Sequence, residues 1–280
     1  MFLPTPFFRA AGSGPGVVCL HSNASQSGQW RELMHTLAPT FHVLAADAYG
    51  AGKSAAWQSD RAVTLRDEVA FLEPVFARAG DPFVLVGHSY GAAVALIAAI
   101  SQPHRVRALA LYEPTLFGLL LDAKAPAPDE VDGIRRVFAR VAAAADAGDA
   151  NGAGERFIDY WSGEGAWDRI PDARKTPMAD SVLNIRAWVN ALFNEPTPLA
   201  AFSRLDIPVL YMMGKDSPAP SRSVGRLLTQ VLPQVEVVEF EGVGHMGPIT
   251  DAEQINKTIV RFLEKRVAEK DEPASILSDV

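Results

Sequence analysis

Short, continuous apolar runs alternate along most of the chain with stretches in which apolar residues recur every three or four positions. The runs are GVVCLH (16–21), HVLAAD (42–47), FVLVGH (83–88), VRALALY (106–112), PVLYMMG (208–214) and VEVVEF (235–240). Unbroken runs of this length are expected of strands buried on both faces of a parallel sheet. Between them, Trp30, Leu33, Met34 and Leu37 share one helical face, as do Leu65, Val69, Leu72 and Phe76. Val224, Leu227, Leu228 and Val231 form a third such face, and Ile255, Ile259, Phe262 and Leu263 a fourth. Thr64 with Asp67, and Thr250 with Glu253, have the spacing of helix-starting capping pairs. The pattern predicts an α/β fold, a mostly parallel central sheet with helices on both faces. Beyond Lys270 the chain turns polar, and a frayed tail is expected.

The alternation stops between Gly118 and Ala200, where helical patches, the glycine-rich stretch DAGDANGAGE and several aromatic residues take over. A helical insertion between strands of an open sheet lies over their carboxyl ends, where ligands bind. The expected organisation is therefore a core domain of residues 1–117 and 201–280 with a helical cap of 118–200, and DAGDANGAGE is read as a loop. Most of the cap aromatics should form its own core. Trp161 and Trp188, with Met246 beyond the last strand, are the candidate pocket-lining residues.

Composition narrows the function. Of 280 residues, 48% are hydrophobic and 21% charged, close to the average of soluble globular proteins. A net charge of −7 and the lack of a basic run argue against nucleic acid as a partner. No apolar stretch is long enough to suggest a spanning helix, and prolines 4 and 6 make the opening a poor signal peptide. A cytoplasmic protein without a membrane association is expected. Cys19, the single cysteine, lies in a strand run and reads as a small buried hydrophobe. The stretch GAGKS (50–54) imitates the end of a phosphate-binding loop, but the position that requires a first glycine is Asp47, whose carboxylate would repel a phosphate.

The strongest chemical signal is FVLVGHSYGAAVAL: a buried strand, then Gly87-His88-Ser89-Tyr90-Gly91, then a helix of small residues. This is the G-x-S-x-G turn, in which flanking glycines leave room for a strained bend and the serine projects at a helix N-terminus. A serine hydroxyl needs a base, and the base an orienting acid. His245, in a glycine-flanked loop after the last strand, is the candidate base, whereas His88 should pack beneath the turn. Two acids stand at strand ends: Asp216 in YMMGKDSPAP and Glu113 in LALYEPTLF. Asp216 is preferred because its strand comes later and a nearby glycine permits a close turn; Glu113 would then pin the start of the cap. Backbone N–H groups of Tyr90 and Asn23 are the candidate oxyanion donors, with His21 bracing the second.

On these motifs the chain resembles the cap-bearing, cofactor-free branch of the α/β-hydrolase superfamily over almost its whole length. Asp47, Gly50, Gly52 and Ser54 match that family's D-x-x-G-x-G-x-S turn, which gives the glycines of GAGKS a structural use. Two positions depart from the family: Ser22 stands where relatives have glycine after His21, and Ala92 where many repeat glycine. The resemblance implies hydrolysis of a small carboxylic ester through an acyl-enzyme, with neither a metal nor an organic cofactor. Similar family members instead cleave carbon–carbon bonds of diketone-like compounds or make peracids as non-haem haloperoxidases, and a slow-turnover ligand receptor is a further alternative. Epoxide hydrolases and dehalogenases of the superfamily carry aspartate where this chain has Ser89.

Overall fold

The computed structural model describes residues 4–121 and 128–271; the tail expected to fray falls largely beyond them. Seven strands form one sheet: β1 (Phe8–Ala11), β2 (Gly16–Leu20), β3 (His42–Ala46), β4 (Phe83–His88), β5 (Val106–Tyr112), β6 (Val209–Gly214) and β7 (Val235–Phe240). Their order is β1-β3-β2-β4-β5-β6-β7. Every neighbouring pair is parallel except β1 with β3. The six apolar runs are thus six parallel strands. The antiparallel edge strand β1, FRAA, has no apolar run to announce it.

Helices α1 (Arg31–Leu37), α2 (Leu65–Ala79) and α3 (Tyr90–Ser101) follow β2, β3 and β4, and α4 (Pro128–Asp146), α5 (Ala150–Ser162), α6 (Asp172–Val182) and α7 (Ile185–Phe193) lie between β5 and β6. Helix α8 (Ala219–Val231) joins β6 to β7, and α9 (Gly247–Thr250) and α10 (Ala252–Asp271) close the described chain. Alternate strand residues face opposite cores, which is why the runs are continuously apolar. Val17, Cys19, Val84, Val86, Ala108 and Ala110 pack with α1 and α10. Val18, Leu20, Leu85, Leu109 and Leu111 pack with α2, α3 and α8. Buried residues of α4–α7, among them Ile134, Val141, Phe157 and Val182, belong to this second cluster, so the inserted helices share their apolar core with one face of the sheet.

Local signals explain the helix ends unevenly. Thr64 and Asp67 form the expected reciprocal cap on α2. Thr250 instead closes the short α9, and α10 starts two residues later. The stretch DAGDANGAGE is mostly helix: only residues 147–149 separate α4 from α5. Asp149 caps α5 by accepting the Gly152 N–H at 2.8 Å. The glycine that suggested a loop serves packing, since a β-carbon at Gly154 would lie 2.7 Å from the Trp167 ring. No helix of the described residues is long and apolar enough to cross a membrane.

Candidate active site

Parallel strands bring their carboxyl ends to one edge, and three side chains that the sequence separates widely meet there. At the end of β4 the chain reverses into α3 through Ser89, whose φ of 55° is unusual for a residue with a side chain. Both flanking glycines are sterically required. A β-carbon would come within 2.6 Å of Ala92 Cα at Gly87 and within 2.4 Å of the Leu20 carbonyl oxygen at Gly91. This crowding lifts the Ser89 hydroxyl clear of the turn at the amino end of α3, where unpaired N–H groups favour negative charge.

His245 Nε2 lies 2.9 Å from Ser89 Oγ, and its Nδ1 lies 2.6 Å from Glu113 Oε2. Glu113 and His245 are 0% and 2% exposed. The orienting acid preferred from sequence, Asp216, is not at this position. Its residue is exposed, and its backbone N–H bonds to the Val243 carbonyl at 3.0 Å in the turn that follows β6. Glu113 leaves β5 at φ 46° and turns its carboxylate back across the strand ends. Its second oxygen, Oε1, accepts the Gly214 N–H at 2.8 Å and the Ser217 hydroxyl at 2.5 Å. Both carboxylate oxygens are therefore satisfied, as a fully buried charge requires. Tyr112 Oη donates to the Gly244 carbonyl at 2.7 Å and anchors the loop that carries His245.

The candidate oxyanion donors flank Ser89. Tyr90 opens α3 and Asn23 lies in the loop after β2, and neither N–H is taken up in the turns and loops of the described residues. Ser22, which stands where relatives have glycine, is not in the left-handed region; the left-handed residue in this loop is Ala24, φ 55°. His21 braces the loop as expected. Its Nε2 accepts the Ala48 N–H at 3.0 Å, which leaves the proton on Nδ1 to donate to the Ser22 carbonyl at 2.7 Å. Burial lowers the His21 pKa, consistent with this neutral ring.

The Gly50–Gly52 turn wraps a buried carboxylate. Asp47 accepts the Ser27 N–H at 2.6 Å on one oxygen and the Lys53 N–H at 2.9 Å on the other. A β-carbon at Gly52 would sit 2.2 Å from Asp47 Oδ2. The amide that a phosphate loop would offer its ligand is thus held by Asp47.

Beneath the elbow, Tyr90 Oη donates to Glu68 Oε1 at 3.0 Å and the Tyr49 N–H to Oε2 at 3.2 Å. Burial, the largest influence, raises the Glu68 pKa from 4.5 to about 7. Between these values the folded protein retains a proton that the unfolded chain releases, so stability falls as pH rises through that window. Glu68→Gln can still accept from Tyr49 and can donate to Tyr90. Its advantage over the parent, read from urea midpoints, should be about 3 kcal/mol larger above the window than below it. An advantage independent of pH would show that Glu68 does not titrate in this way.

A narrow pocket opens onto Ser89 and His245. Its walls include Asn23, Phe117, Phe138, Phe157, Trp161 and Met246. The Trp161 ring lies 4.2 Å from that of His245, between centroids. Trp188, also expected in the pocket, is not among the residues that line it; it is buried in the insertion with its ring 6.1 Å from Phe157. Thr115, Phe117, Phe138, Phe157 and Leu192 also line it without being singled out by the sequence, in which Phe138 and Phe157 read as the cap's own core.

Comparison with known proteins identifies the family. The family model for the alpha/beta hydrolase fold matches residues 15–252, which takes in Ser89, Glu113 and His245. The chain belongs to the α/β-hydrolase family. Lipase LipV of Mycobacterium tuberculosis is 33% identical over 135 residues, which are 44% of this chain and 49% of that protein. The 2-hydroxymuconate semialdehyde hydrolase of Pseudomonas sp. strain CF600 is 37% identical over 109 residues, 38% of this chain and 35% of that protein. The match thus spans half or less of these curated relatives. Among solved structures, an alpha/beta hydrolase from Sphaerobacter thermophilus superposes with a TM-score of 0.69 at 25% identity, covering 92% of this chain and 96% of that one.

Proposed function

We propose that this α/β-hydrolase family member is a serine hydrolase that cleaves small carboxylic esters through an acyl-enzyme. The observation that carries this reading is the hydrogen-bonded line from Ser89 Oγ through His245 to the buried Glu113 carboxylate. Glu113 holds the Nδ1 proton of His245, leaving Nε2 free to take the Ser89 proton as the hydroxyl attacks the ester carbonyl. The Tyr90 and Asn23 N–H groups stabilise the tetrahedral oxyanion, and each such donor contributes about 3 to 4 kcal/mol to the transition state. His245 then protonates the leaving alcohol; water, activated by the same imidazole, releases the acid and restores Ser89.

The aromatic walls favour an apolar acyl or alcohol group of modest size, with residues 118–200 acting as the cap that shapes the pocket. The partial match to a 2-hydroxymuconate semialdehyde hydrolase supports a second reading, cleavage of a carbon–carbon bond next to a ketone by the same residues. Turnover of short p-nitrophenyl esters favours the first reading, and activity confined to vinylogous diketones the second.

The serine reading is tested by labelling with a fluorophosphonate and locating the adduct by mass spectrometry. Ser89 should carry the label in the parent, and labelling should be lost in His245→Ala. An adduct on another residue, or one indifferent to His245, would exclude the scheme.

A further inference from the structure

The residue that precedes the nucleophile belongs to a second hydrogen-bond line, separate from the one through Glu113. The Ser22 N–H and Oγ both reach Gln29 Oε1, at 3.2 and 3.1 Å. Gln29 Nε2 lies 3.1 Å from His88 Nδ1, and His88 Nε2 lies 2.8 Å from the backbone carbonyl of His245. The two ends of this line fix every proton in it. The Ser22 N–H can only donate, so Oε1 is the amide oxygen turned toward it and Nε2 must donate onward. The His245 carbonyl can only accept, so the proton of His88 stands on Nε2 and its Nδ1 receives the Gln29 amide. His88 is fully buried, which depresses its pKa well below the usual histidine value and keeps the ring neutral, as this polarity requires.

The line joins the loop that presents the Asn23 N–H to the main chain of His245. Resting on the reading of His245 as the base, we infer that Gln29 is a positioning residue which, through His88, sets the oxyanion loop and the catalytic imidazole in register. Ser22 takes part in this device. Where a glycine would leave the loop free to aim its next N–H, the serine offers two donors to one amide oxygen, and the loop is held by hydrogen bonds instead of by backbone freedom.

Gln29→Glu tests the polarity with almost no change of shape. A carboxylate still accepts from Ser22 but cannot donate to His88, so His88 Nδ1 should gain a proton beside the one that the His245 carbonyl holds on Nε2. Long-range proton–nitrogen spectra of protein labelled with nitrogen-15 histidine read the protonated nitrogen directly, with the His88 signals assigned by their loss in His88→Gln. The parent should carry its proton on Nε2 alone and the variant protons on both nitrogens. Ester turnover should fall on the order of 10- to 100-fold in kcat, the scale of a small misplacement of reacting groups, with KM changed less than about threefold. Should Gln29→Glu not fold, Gln29→Met, which lacks both polar atoms, should show the same loss in kcat with the His88 proton still held on Nε2 by the His245 carbonyl.

A parent ring protonated on Nδ1 would overturn the inference. So would variants with a lowered urea midpoint but kcat within about twofold of the parent and, for Gln29→Glu, a His88 ring still protonated on Nε2 alone, the behaviour of a merely structural Gln29. The tautomer is read without substrate, and fluorophosphonate labelling of the parent's Ser89 tests the base separately, so failure of the inference is distinguishable from failure of the serine mechanism.

Discussion

Ser89→Ala should lower ester turnover about 10⁶-fold, to what binding and the oxyanion donors can achieve alone, and the double variant Ser89→Ala, His245→Ala should be no slower than either single one. The equality is the more telling half of the result. A hydroxyl and an imidazole 2.9 Å apart act as one proton-transfer unit, so removing either member removes the nucleophile, and removing the second takes nothing further. Independent contributions would multiply instead. Steady-state kcat/KM for a p-nitrophenyl ester, measured on preparations cleared of contaminating esterase, decides between the two. Loss of only about tenfold in Ser89→Ala would mean that the chemistry lies elsewhere. Ser89 is small, so a near-native urea midpoint is expected for Ser89→Ala, whereas His245→Ala leaves one oxygen of the buried Glu113 carboxylate without its partner and should lower the midpoint.

Much of this arrangement was legible from residue order alone, because it follows from constraints that act locally. Strands buried on both faces must be apolar throughout, so β2 to β7 stood out. The elbow needs two positions without side chains around its serine, so Gly87 and Gly91 marked it. What escaped notice depends on packing at a distance. The edge strand β1 is defined by its antiparallel ladder to β3 and by nothing in FRAA itself. The glycines of α5 look like loop residues until Trp167 is set against the helix. The contact between Trp161 and His245, and its lack for Trp188, follows from how inserted helices lie on the sheet, which helical periodicity does not encode. The Gln29–His88 line joins residues 59 positions apart and then spans 157 more, with no motif to connect them.

Replacing Glu113 by Gln should cost about 10⁴-fold in kcat, about 5 kcal/mol, whereas Asp216→Asn should leave kcat within about threefold of the parent. Both acids stand just beyond adjacent parallel strands, β5 and β6, whose register pairs Tyr112 with Met212, so strand order alone gives no reason to choose Glu113. Their surroundings separate them. Glu113 lies in an apolar stretch, LALYEPTLF, where a buried carboxylate must find a charged or donating partner, and its partners are His245, Gly214 and Ser217. Asp216 lies in the polar turn KDSP, where Ser217 N–H closes back on the Gly214 carbonyl and the acid faces solvent. In Glu113→Gln the amide nitrogen would face the Nδ1 proton of His245. The ring would then shift that proton to Nε2, against Ser89, where it can no longer act as a base. Glutamine keeps the size and can still accept from Gly214 and Ser217, so the loss should fall on kcat and spare the fold. A parallel loss of thermal stability would mark Glu113 as a structural group. Inactivity of Asp216→Asn with an active Glu113→Gln would return the orienting role to the later strand, despite the 2.6 Å contact between Glu113 and His245.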